Sequence, residues 1–428
     1  LGKGIQLIEQ ALMLAPKNCE YLAQLSKCHV LNNDHIQAYR YAETCIALSP
    51  SSCSVLDTLG VCYSKMGLHN TAITLFEKAV RQNQSNADVY FNLATSLKFT
   101  GDFYGAKAAC ERAIALKPAL AKAHNLLISL GGISAQDNHI QRLSKQLALT
   151  HNGEDTLQLC HALATEYEAL NRYDDAFEAL VKGKVARLAE IEYDFTQDKA
   201  LFDSIHHAFP TNNEVKAGHA SDEPIFVVGM PRTGTTLVER ILTGHSQVQS
   251  AGELQNFGIA LKQLAATSST KVLDAETVFA ARNIDFMQLG QQYLDSTRNI
   301  TGVNKHFVDK IPLNFLYVGF IRKAFPNARI ICLDRNPLDT CISNFRQLLS
   351  ANNAFYNYSY SLESTAQYYL QFRELMSHWL ELFPDNFYVV NYESLVIQPE
   401  LEASELLSFC GLDWEPQCLK IENNLSAV

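Results

Sequence analysis

The sequence predicts an all-α solenoid of repeated helix pairs, followed by an α/β domain with a mainly parallel sheet. Three observations support this prediction. Residue types recur every 34 positions in the first part of the chain, short apolar runs alternate with helical patterns in the second, and a glycine-containing loop joins the first apolar run to a helix. A chain of 428 residues is long enough for two or three such domains.

The composition limits the classes of function. Hydrophobic residues make up 47% of the chain, so it can bury real cores and is not compositionally disordered. The net charge of -10 argues against a general nucleic-acid binder or a basic membrane-surface protein. It does not exclude an anionic ligand, because a few local donors can hold one.

No apolar run reaches the roughly 18 residues of a transmembrane helix, and no signal peptide is visible. We therefore expect a cytoplasmic protein, although Leu1 falls inside a repeat and we expect the natural N-terminus to lie upstream.

The eleven cysteines invite a disulfide or zinc interpretation. No CxxC pair occurs, which counts against structural zinc. Cys19 and Cys53 are separated by the same 34 residues as Cys28 and Cys62, so the repeat itself accounts for their spacing. We expect buried free thiols in a reducing compartment.

The 34-residue repeat is visible at many positions. Leu25, Leu59 and Leu93 share one slot, and the next slot holds small residues. The agreeing slots include Ser26/Gly60/Ala94, His29/Tyr63/Leu97, Ala38/Ala72/Ala106, Ala42/Phe76/Cys110 and Cys45/Ala79/Ala113. Small residues let two helices cross closely, and this pattern resembles the tetratricopeptide family over residues 1–130. The resemblance implies a concave surface for partners. Whether the repeats recruit a substrate or partner, or only scaffold or dimerise the protein, stays open.

The pattern changes twice beyond residue 130. Residues 131–156 break the repeat with Gly131 and Gly132, and a divergent repeat then resumes. We assign residues 131–210 to this divergent repeat and connecting helices, and the polar residues 211–223 to a linker.

Residues 224–428 alternate between strand and helix patterns. The predicted strands are the apolar runs 225–228, 329–333 and 387–390, with helical patterns between and after them. Such alternation predicts a parallel sheet buried on both faces. Ligands of such domains bind beyond the carboxyl ends of the strands.

A phosphate-binding loop follows the first of these strands. Residues 229–236 read Gly-Met-Pro-Arg-Thr-Gly-Thr-Thr, and a helical pattern comes next. Backbone N–H groups at such a strand–turn–helix junction bind anions. The spacing is close to a Walker A motif, but Thr235 occupies the lysine slot and the cation is Arg232. An NTPase uses that lysine on the β- and γ-phosphates, whereas a 5′-phosphosulfate needs no such group.

Residues 231–236 resemble the 5′-phosphosulfate loop of the sulfotransferases. The arginine version is most similar to tyrosylprotein sulfotransferases and to bacterial fusions of tetratricopeptide repeats with sulfotransferases. The resemblance implies 3′-phosphoadenosine-5′-phosphosulfate (PAPS) as donor co-substrate, 3′,5′-adenosine bisphosphate as product, and no metal. The loop residues that would bind the donor are Arg232, Thr233, Gly234, Thr235 and Thr236.

A second motif, residues 334–343, supports the first. Asn336 and Pro337 are good residues for starting a helix. By the resemblance, Arg335 and Ser343 bind the 3′-phosphate of the nucleotide. The alternative is a surface arginine and an ordinary helix serine.

Glu253 is the candidate general base, since an acceptor hydroxyl must lose its proton as it attacks sulfur. The resemblance assigns catalysis to a glutamate at this distance from the loop arginine. Glu253 could otherwise be a helix N-terminal acid, and His245 and His306 are rival bases.

The resemblance assigns two further roles. Lys310, followed by Ile311-Pro312, matches a lysine that stabilises the leaving phosphate. The alternative is a surface ion pair between Lys310 and Asp309. Tyr392 matches a tyrosine beside the nucleotide and would form a wall for adenine, with a core tyrosine as the alternative.

We also expect the domain to be incomplete at its C-terminus. The sequence stops soon after residues 410–412, where sulfotransferases usually continue with a segment that closes over the nucleotide. Two other functions stay open: a P-loop kinase or NTPase, and a non-catalytic repeat scaffold with a degenerate enzyme domain. The acceptor is also open among a peptide tyrosine, a saccharide and a small alcohol or phenol, although the arginine loop and Glu253 favour a peptide or saccharide.

Overall fold

The computed structural model describes residues 2–32, 34–210, 218–302, 304–349 and 354–421. The chain divides into two compact units, Leu1–Ile191 and Glu192–Val428. Within the described ranges, no helix combines the length and apolar character needed to cross a membrane.

The N-terminal unit is built from helices. They are α1 (Gly2–Leu14), α2 (Cys19–Leu31), α3 (His35–Ala47), α4 (Cys53–Lys65), α5 (His69–Gln82), α6 (Ala87–Phe99), α7 (Phe103–Leu116), α8 (Ala121–Ser129), α9 (Ile140–Ala148), α10 (Gly153–Ala169) and α11 (Tyr173–Leu188). The first helices of three successive pairs start at Cys19, Cys53 and Ala87, 34 residues apart, which confirms the predicted solenoid of helix pairs.

The small-residue slot has a steric reason. A Cβ added at Gly60 would lie 2.5 Å from Cε1 of Phe76, on the second helix of the same pair. Cys19 and Cys53 both begin the first helix of a pair, so their spacing follows from the repeat. All eleven cysteines are free thiols, seven of them buried and four half-buried.

The C-terminal unit begins earlier than the predicted domain. Helix α12 (Phe195–Ala208), which the sequence groups with the connecting helices of 131–210, packs into the C-terminal unit. Phe202 lies 5.1 Å from the Tyr368 ring, and Phe209 lies 4.8 Å from the Phe320 ring, both edge to face. A helical pattern shows which face is apolar but not which partner covers that face.

Part of the predicted linker packs against the same unit. Residues 211–217 lie outside the described residues. Beyond them, the His219 N–H donates to the Ala324 carbonyl at 2.7 Å, and Asn327 Nδ2 donates to the Ala220 carbonyl at 3.0 Å.

The C-terminal unit contains one parallel sheet in the order β2-β3-β1-β4-β5. Its strands are β1 (Pro224–Gly229), β2 (Val248–Ser250), β3 (His306–Asp309), β4 (Arg329–Asp334) and β5 (Phe387–Asn391). Every residue of β1 is buried. Phe226 and Val228 face one core, whereas Ile225 and Val227 face the other. The predicted α/β domain with a parallel sheet is therefore confirmed, with β2 and β3 too short to give a periodic signal.

Helices cover both faces of this sheet. They are α12, α13 (Thr235–Thr243), α14 (Asn256–Ala265), α15 (Ala275–Ala281), α16 (Phe286–Thr301), α17 (Val318–Ala324), α18 (Pro337–Arg346), α19 (Leu362–Leu382), α20 (Tyr392–Ile397) and α21 (Pro399–Phe409). Short 3₁₀ helices span Pro312–Tyr317, Ala354–Tyr360 and Pro416–Leu419.

We predict that Phe209→Ala destabilises the C-terminal unit by about 3–5 kcal/mol, the usual cost of truncating a buried aromatic side chain. Phe209 is 1% exposed and its ring packs on Phe320 and Trp379. Both tryptophans of the chain lie in this unit, so denaturant unfolding followed by tryptophan fluorescence reports on it. Phe279→Ala is the matched control, because Phe279 is 70% exposed in the same unit. Equal unfolding free energies for the two variants would show that Phe209, the residue that follows α12, does not contribute to this core.

Candidate active site

The five strands end at one edge of the sheet, and a candidate residue follows each of them. Lys310, Arg335 and Tyr392 come directly after β3, β4 and β5. Arg232 lies in the loop after β1, and Glu253 lies three residues after β2. Because parallel strands present their carboxyl ends together, residues that are distant in sequence meet at this edge.

The loop after β1 has the backbone geometry of an anion site. Arg232 and Gly234 both have positive φ, +67° and +103°. The Thr233 hydroxyl donates to the Met230 carbonyl at 2.7 Å and closes the turn. Helix α13 then starts at Thr235, and the N–H groups of Thr235 and Thr236 precede the first hydrogen bonds of the helix, in which Leu237 and Val238 donate to the Gly234 carbonyl at 2.9 and 3.4 Å. The Arg232 side chain is exposed, whereas Thr235 is buried and Thr236 half-buried.

Arg335 connects this loop to the end of β5. Its Nη1 donates to the Arg232 carbonyl at 3.0 Å, and its guanidinium lies 4.6 Å from the centre of the Tyr392 ring. A Cβ added at Gly234 would lie 2.5 Å from Cδ2 of Tyr392, so only glycine lets the ring approach the loop so closely. Nε of Arg335 is buried and has no hydrogen-bond partner among the described residues. Tyr392 is therefore half-buried against the loop and not a core tyrosine.

The start of α18 is fixed from two sides. Oδ1 of Asn336 accepts the N–H groups of Leu338 and Asp339 at 2.9 and 3.2 Å, as expected for a helix cap. The Asn336 N–H in turn donates to Oε1 of Glu393 at 2.9 Å. Ser343 lies half-buried on this helix. Glu393, adjacent to Tyr392, thus ties β5 to the second motif.

Asn344 is a site residue that the sequence analysis missed. It is fully buried, its Nδ2 donates to the Pro231 carbonyl at 2.7 Å, and its Oδ1 accepts from the Tyr358 hydroxyl at 2.8 Å. It therefore holds the first half of the phosphate loop. The available signal was a polar residue one position after Ser343, on the face of α18 that also buries Thr340.

Glu253 and Lys310 form a close ion pair. Nζ of Lys310 lies 2.5 Å from Oε1 of Glu253 and 3.9 Å from Oε2 of Glu239. The Glu253 side chain is 57% exposed, whereas that of Lys310 is 11% exposed. The base candidate therefore faces outward while the cation lies beneath it.

Asp309 does not form the surface pair that the sequence left open. Its carboxylate is fully buried and accepts from the Tyr293 hydroxyl at 2.8 Å and the Leu254 N–H at 3.4 Å. Burial raises the pKa of Asp309 from 3.8 to about 7, partly opposed by the Tyr293 and Leu254 hydrogen bonds.

The two rival histidines lie at the opposite edge of the sheet. His245 precedes β2; its Nδ1 accepts from the Gln247 N–H at 3.1 Å and its Nε2 donates to the Asp413 carbonyl at 3.1 Å. His306 is the first residue of β3, and its Nδ1 donates to the Asp222 carbonyl at 3.0 Å. Neither histidine lies at the end of the sheet where Glu253 does.

Asp334, the nearest candidate magnesium ligand of an NTPase, is already paired. Its Oδ1 lies 2.5 Å from Nη1 of Arg373 on α19. Thr235 stands where an NTPase has its phosphate-binding lysine, and Asp334 is bound to Arg373. Neither position therefore has the partner that NTPase chemistry requires.

The family comparison agrees with this arrangement. Residues 224–416 match the model of the sulfotransferase family. The C-terminal unit carries a sulfotransferase-family domain. Residues 54–86 and 87–120 match the tetratricopeptide repeat model, so the N-terminal unit carries these repeats.

The relatives of this sulfotransferase-domain chain are distant. An uncharacterised protein of Aquifex aeolicus (strain VF5) is 31% identical over 357 residues, covering 82% of this chain and 46% of the relative. Protein-tyrosine sulfotransferase 1 of Danio rerio is 23% identical over 240 residues, covering 53% of this chain and 64% of the relative. Protein-tyrosine sulfotransferase 2 of Gallus gallus is 20% identical, covering 49% and 57%. The chain spans about half the length of the curated relatives it matches.

Solved structures resemble each part of the chain. The sulfotransferase domain from the curacin biosynthetic pathway is 24% identical, covering 49% of this chain and 80% of that structure, with a TM-score of 0.35. The tetratricopeptide protein YrrB is 19% identical, covering 41% and 90%, with a TM-score of 0.32.

We predict that Asp309→Asn gains stability relative to the wild type as pH rises from 5 to 8. The folded-state pKa of about 7 exceeds the ordinary value of 3.8, so the folded protein binds this proton more tightly. The stability that Asp309 gains from binding this proton is fully present below pH 3.8 and is lost as the pH rises through the folded-state pKa of about 7. Asparagine cannot ionise and avoids this loss. Thermal unfolding of both proteins at pH 5 and pH 8 checks the trend, and a Tm difference that is constant with pH would contradict it.

Proposed function

We propose that the C-terminal domain transfers a sulfuryl group from PAPS to an acceptor hydroxyl. The observation that carries this proposal is the edge at which all five parallel strands end. A phosphate loop, two arginines, a buried lysine, an exposed carboxylate and an aromatic ring meet there. This is the set of groups that such a transfer needs.

The residues present fit the donor nucleotide. Arg335 has a buried Nε with no partner in the described part of the chain, which is an unused donor beside the loop. The 5′-phosphosulfate would be held by Arg232 and by the backbone and hydroxyl groups at the start of α13. The residues of this loop are Arg232, Thr233, Gly234, Thr235 and Thr236. The 3′-phosphate would bind Arg335 and Ser343, and adenine would lie against Tyr392.

The transfer breaks the S–O bond between the sulfuryl group and the 5′-phosphate and forms an S–O bond to the acceptor. Glu253 would accept the acceptor's proton, since its carboxylate is exposed. Negative charge grows on the phosphate oxygen that leaves, and Lys310 and Arg232 would stabilise it. The side chains of Glu253 and Lys310 lie side by side in the structure, which supports this pairing of roles.

The acceptor class is not selected by these contacts. A peptide tyrosine, a saccharide or a small alcohol or phenol would each present a hydroxyl to Glu253. The tetratricopeptide unit would recruit the acceptor or a protein partner, because solenoids of this kind present extended binding surfaces.

Nucleotide preference distinguishes this function from its alternatives. We expect 3′,5′-adenosine bisphosphate to raise the Tm more than an equal concentration of ATP with magnesium, because ligands that bind only the folded state stabilise it. A larger shift with ATP would favour the kinase or NTPase alternative. No shift with either nucleotide would favour the non-catalytic scaffold.

The first prediction for this function concerns the 3′-phosphate. Arg335→Ala should weaken binding of 3′,5′-adenosine bisphosphate by about 1.5–3 kcal/mol, the scale of a charge-assisted hydrogen bond. Adenosine 5′-phosphosulfate lacks the 3′-phosphate, so its affinity should change much less. Isothermal titration calorimetry with both nucleotides measures the difference.

Arg329→Ala is the matched control for this variant. Arg329 begins the same strand that Arg335 follows, and therefore lies at the opposite edge of the sheet. We expect its affinities for both nucleotides to equal those of the wild type. Equal losses for both nucleotides in Arg335→Ala would remove Arg335 from the 3′-phosphate site.

The second prediction concerns the base. Glu253→Gln keeps the size of the side chain but cannot accept the proton, so the transfer rate should fall on the order of 10²- to 10⁴-fold. Affinity for 3′,5′-adenosine bisphosphate should change little, because the exposed carboxylate would face the acceptor. Single-turnover transfer from PAPS to a series of phenols measures the rate, and the loss should shrink for more acidic phenols.

His245→Ala is the comparison for this variant, because His245 is buried at the other edge of the sheet. We expect it to retain the wild-type rate if the protein stays folded. A fully active Glu253→Gln beside an inactive but folded His245→Ala would transfer the role of base to the histidine.

A further inference from the structure

Lys310 faces a second carboxylate that the proposed reaction does not use. Glu253 approaches its Nζ from the exposed side at 2.5 Å, and Glu239 from the buried side at 3.9 Å. The Glu239 side chain is only 4% exposed. Glu239 belongs to α13, the helix whose first turn follows the phosphate loop, so it lies on the donor side of the lysine.

Glu239 is also tied to the turn that carries the base. The Ser250 hydroxyl donates to Oε1 of Glu239 at 2.7 Å. The same hydroxyl oxygen accepts the Gly252 N–H at 3.1 Å, and the Lys310 N–H donates to the Gly252 carbonyl at 2.9 Å. A single carboxylate therefore connects the phosphate-loop helix, the end of β2 and the turn before Glu253.

The two carboxylates experience different changes during the transfer. Glu253 loses its charge when it accepts the acceptor's proton, and Lys310 then loses its nearest counter-ion. A buried cation without a partner is costly, so a second fixed carboxylate is needed to keep the ammonium charged and in place. Oε1 of Glu239 is occupied by Ser250, while Oε2 is the oxygen that faces Lys310.

The ionisation of Glu239 itself depends on this arrangement. Burial raises its pKa, and the Ser250 hydrogen bond and the Lys310 charge oppose that rise. An apolar residue in place of Glu239 would leave the Ser250 hydroxyl without this acceptor and Lys310 without its buried counter-charge, which is the costly way to break a buried pair.

We propose that Glu239 is a positioning residue for the transfer: its carboxylate holds Lys310 on the donor side of the site while Glu253 cycles between its ionised and protonated forms. This inference rests on the proposed function.

Glu239→Gln tests the charge without removing the hydrogen bond. The amide oxygen can still accept from Ser250, but the negative charge facing Lys310 is lost. We expect kcat for transfer from PAPS to fall about 10- to 100-fold, by analogy with the loss of a residue that orients a metal ligand. In the absence of an acceptor, the dissociation constant of PAPS should stay within about twofold of the wild type, because the charge that Lys310 would stabilise develops only as the S–O bond breaks.

A double-mutant cycle shows whether Glu239 acts through the lysine. In a Lys310→Ala background, Glu239→Gln should cause no further loss of kcat, because the group that it positions is absent. Equal losses in both backgrounds would overturn the proposal and leave Glu239 with a structural role only.

Glu223→Gln is the matched control. Glu223 is an ion-paired glutamate of the same unit, bound to Arg298, and it directly precedes β1 at the opposite edge of the sheet. We expect its kcat to equal that of the wild type. A folded Glu239→Gln that matches this control in kcat would overturn the proposal.

Ser250→Ala provides a second test if Glu239→Gln does not fold. It keeps both charges but removes the hydroxyl that aims Glu239, so kcat should fall about 2- to 10-fold, the scale of one hydrogen bond. An unchanged kcat in this variant would contradict the proposed positioning role. Absence of any transfer by the wild-type protein would instead overturn the proposed function, which separates the two failures.

Discussion

The parallel pairing of five short strands is the constraint on which the rest of the C-terminal unit depends. The order β2-β3-β1-β4-β5 places five carboxyl ends along one edge, and one candidate residue follows each end. β2 and β3 have only three and four residues, although Val248, Phe307 and Val308 are buried in the two cores. Their pairing fixes where Glu253 and Lys310 lie. A change in strand order or direction would separate these groups without altering any of them.

The site is held together by side chains that do not face the reacting groups. Asn344 binds the loop carbonyl of Pro231, and Glu393 binds the start of α18. Asp309, buried beneath the turn that carries Glu253, accepts the Leu254 N–H. Each of these side chains satisfies a backbone group at a turn where no helix or strand partner exists, which is the usual reason for burying a polar residue. The phosphate loop and the turn that carries Glu253 are therefore each held by side chains from other elements of the same unit.

Electrostatics at the edge are organised around one lysine. Lys310 is nearly buried and lies between an exposed carboxylate and a buried one. An exposed carboxylate can exchange its proton with solvent and substrate. A buried carboxylate that accepts a hydrogen bond and faces a cation is held in one position, and both contacts favour its charged form. This asymmetry lets one partner change its charge while the other keeps the lysine in place. A motif search does not find Glu239, because this residue lies in the middle of α13 and its proposed role depends on Lys310, about 70 residues further along the chain.

The sequence by itself determined the 34-residue repeat, the α/β class of the second half and the identity of the phosphate loop, because these are local properties of periodicity and turn chemistry. It also identified Arg335, Glu253 and Lys310 as candidates, through motifs that resemble a known family. Only the tertiary structure decided that α12 packs with the C-terminal unit and that Lys310 pairs with Glu253 instead of Asp309. It also placed His245 and His306 at the opposite edge, and Glu239 and Asn344 at the site. These facts depend on contacts between residues that are tens to more than a hundred positions apart, and such contacts are set by strand order and helix packing, which leave no periodic trace in the sequence.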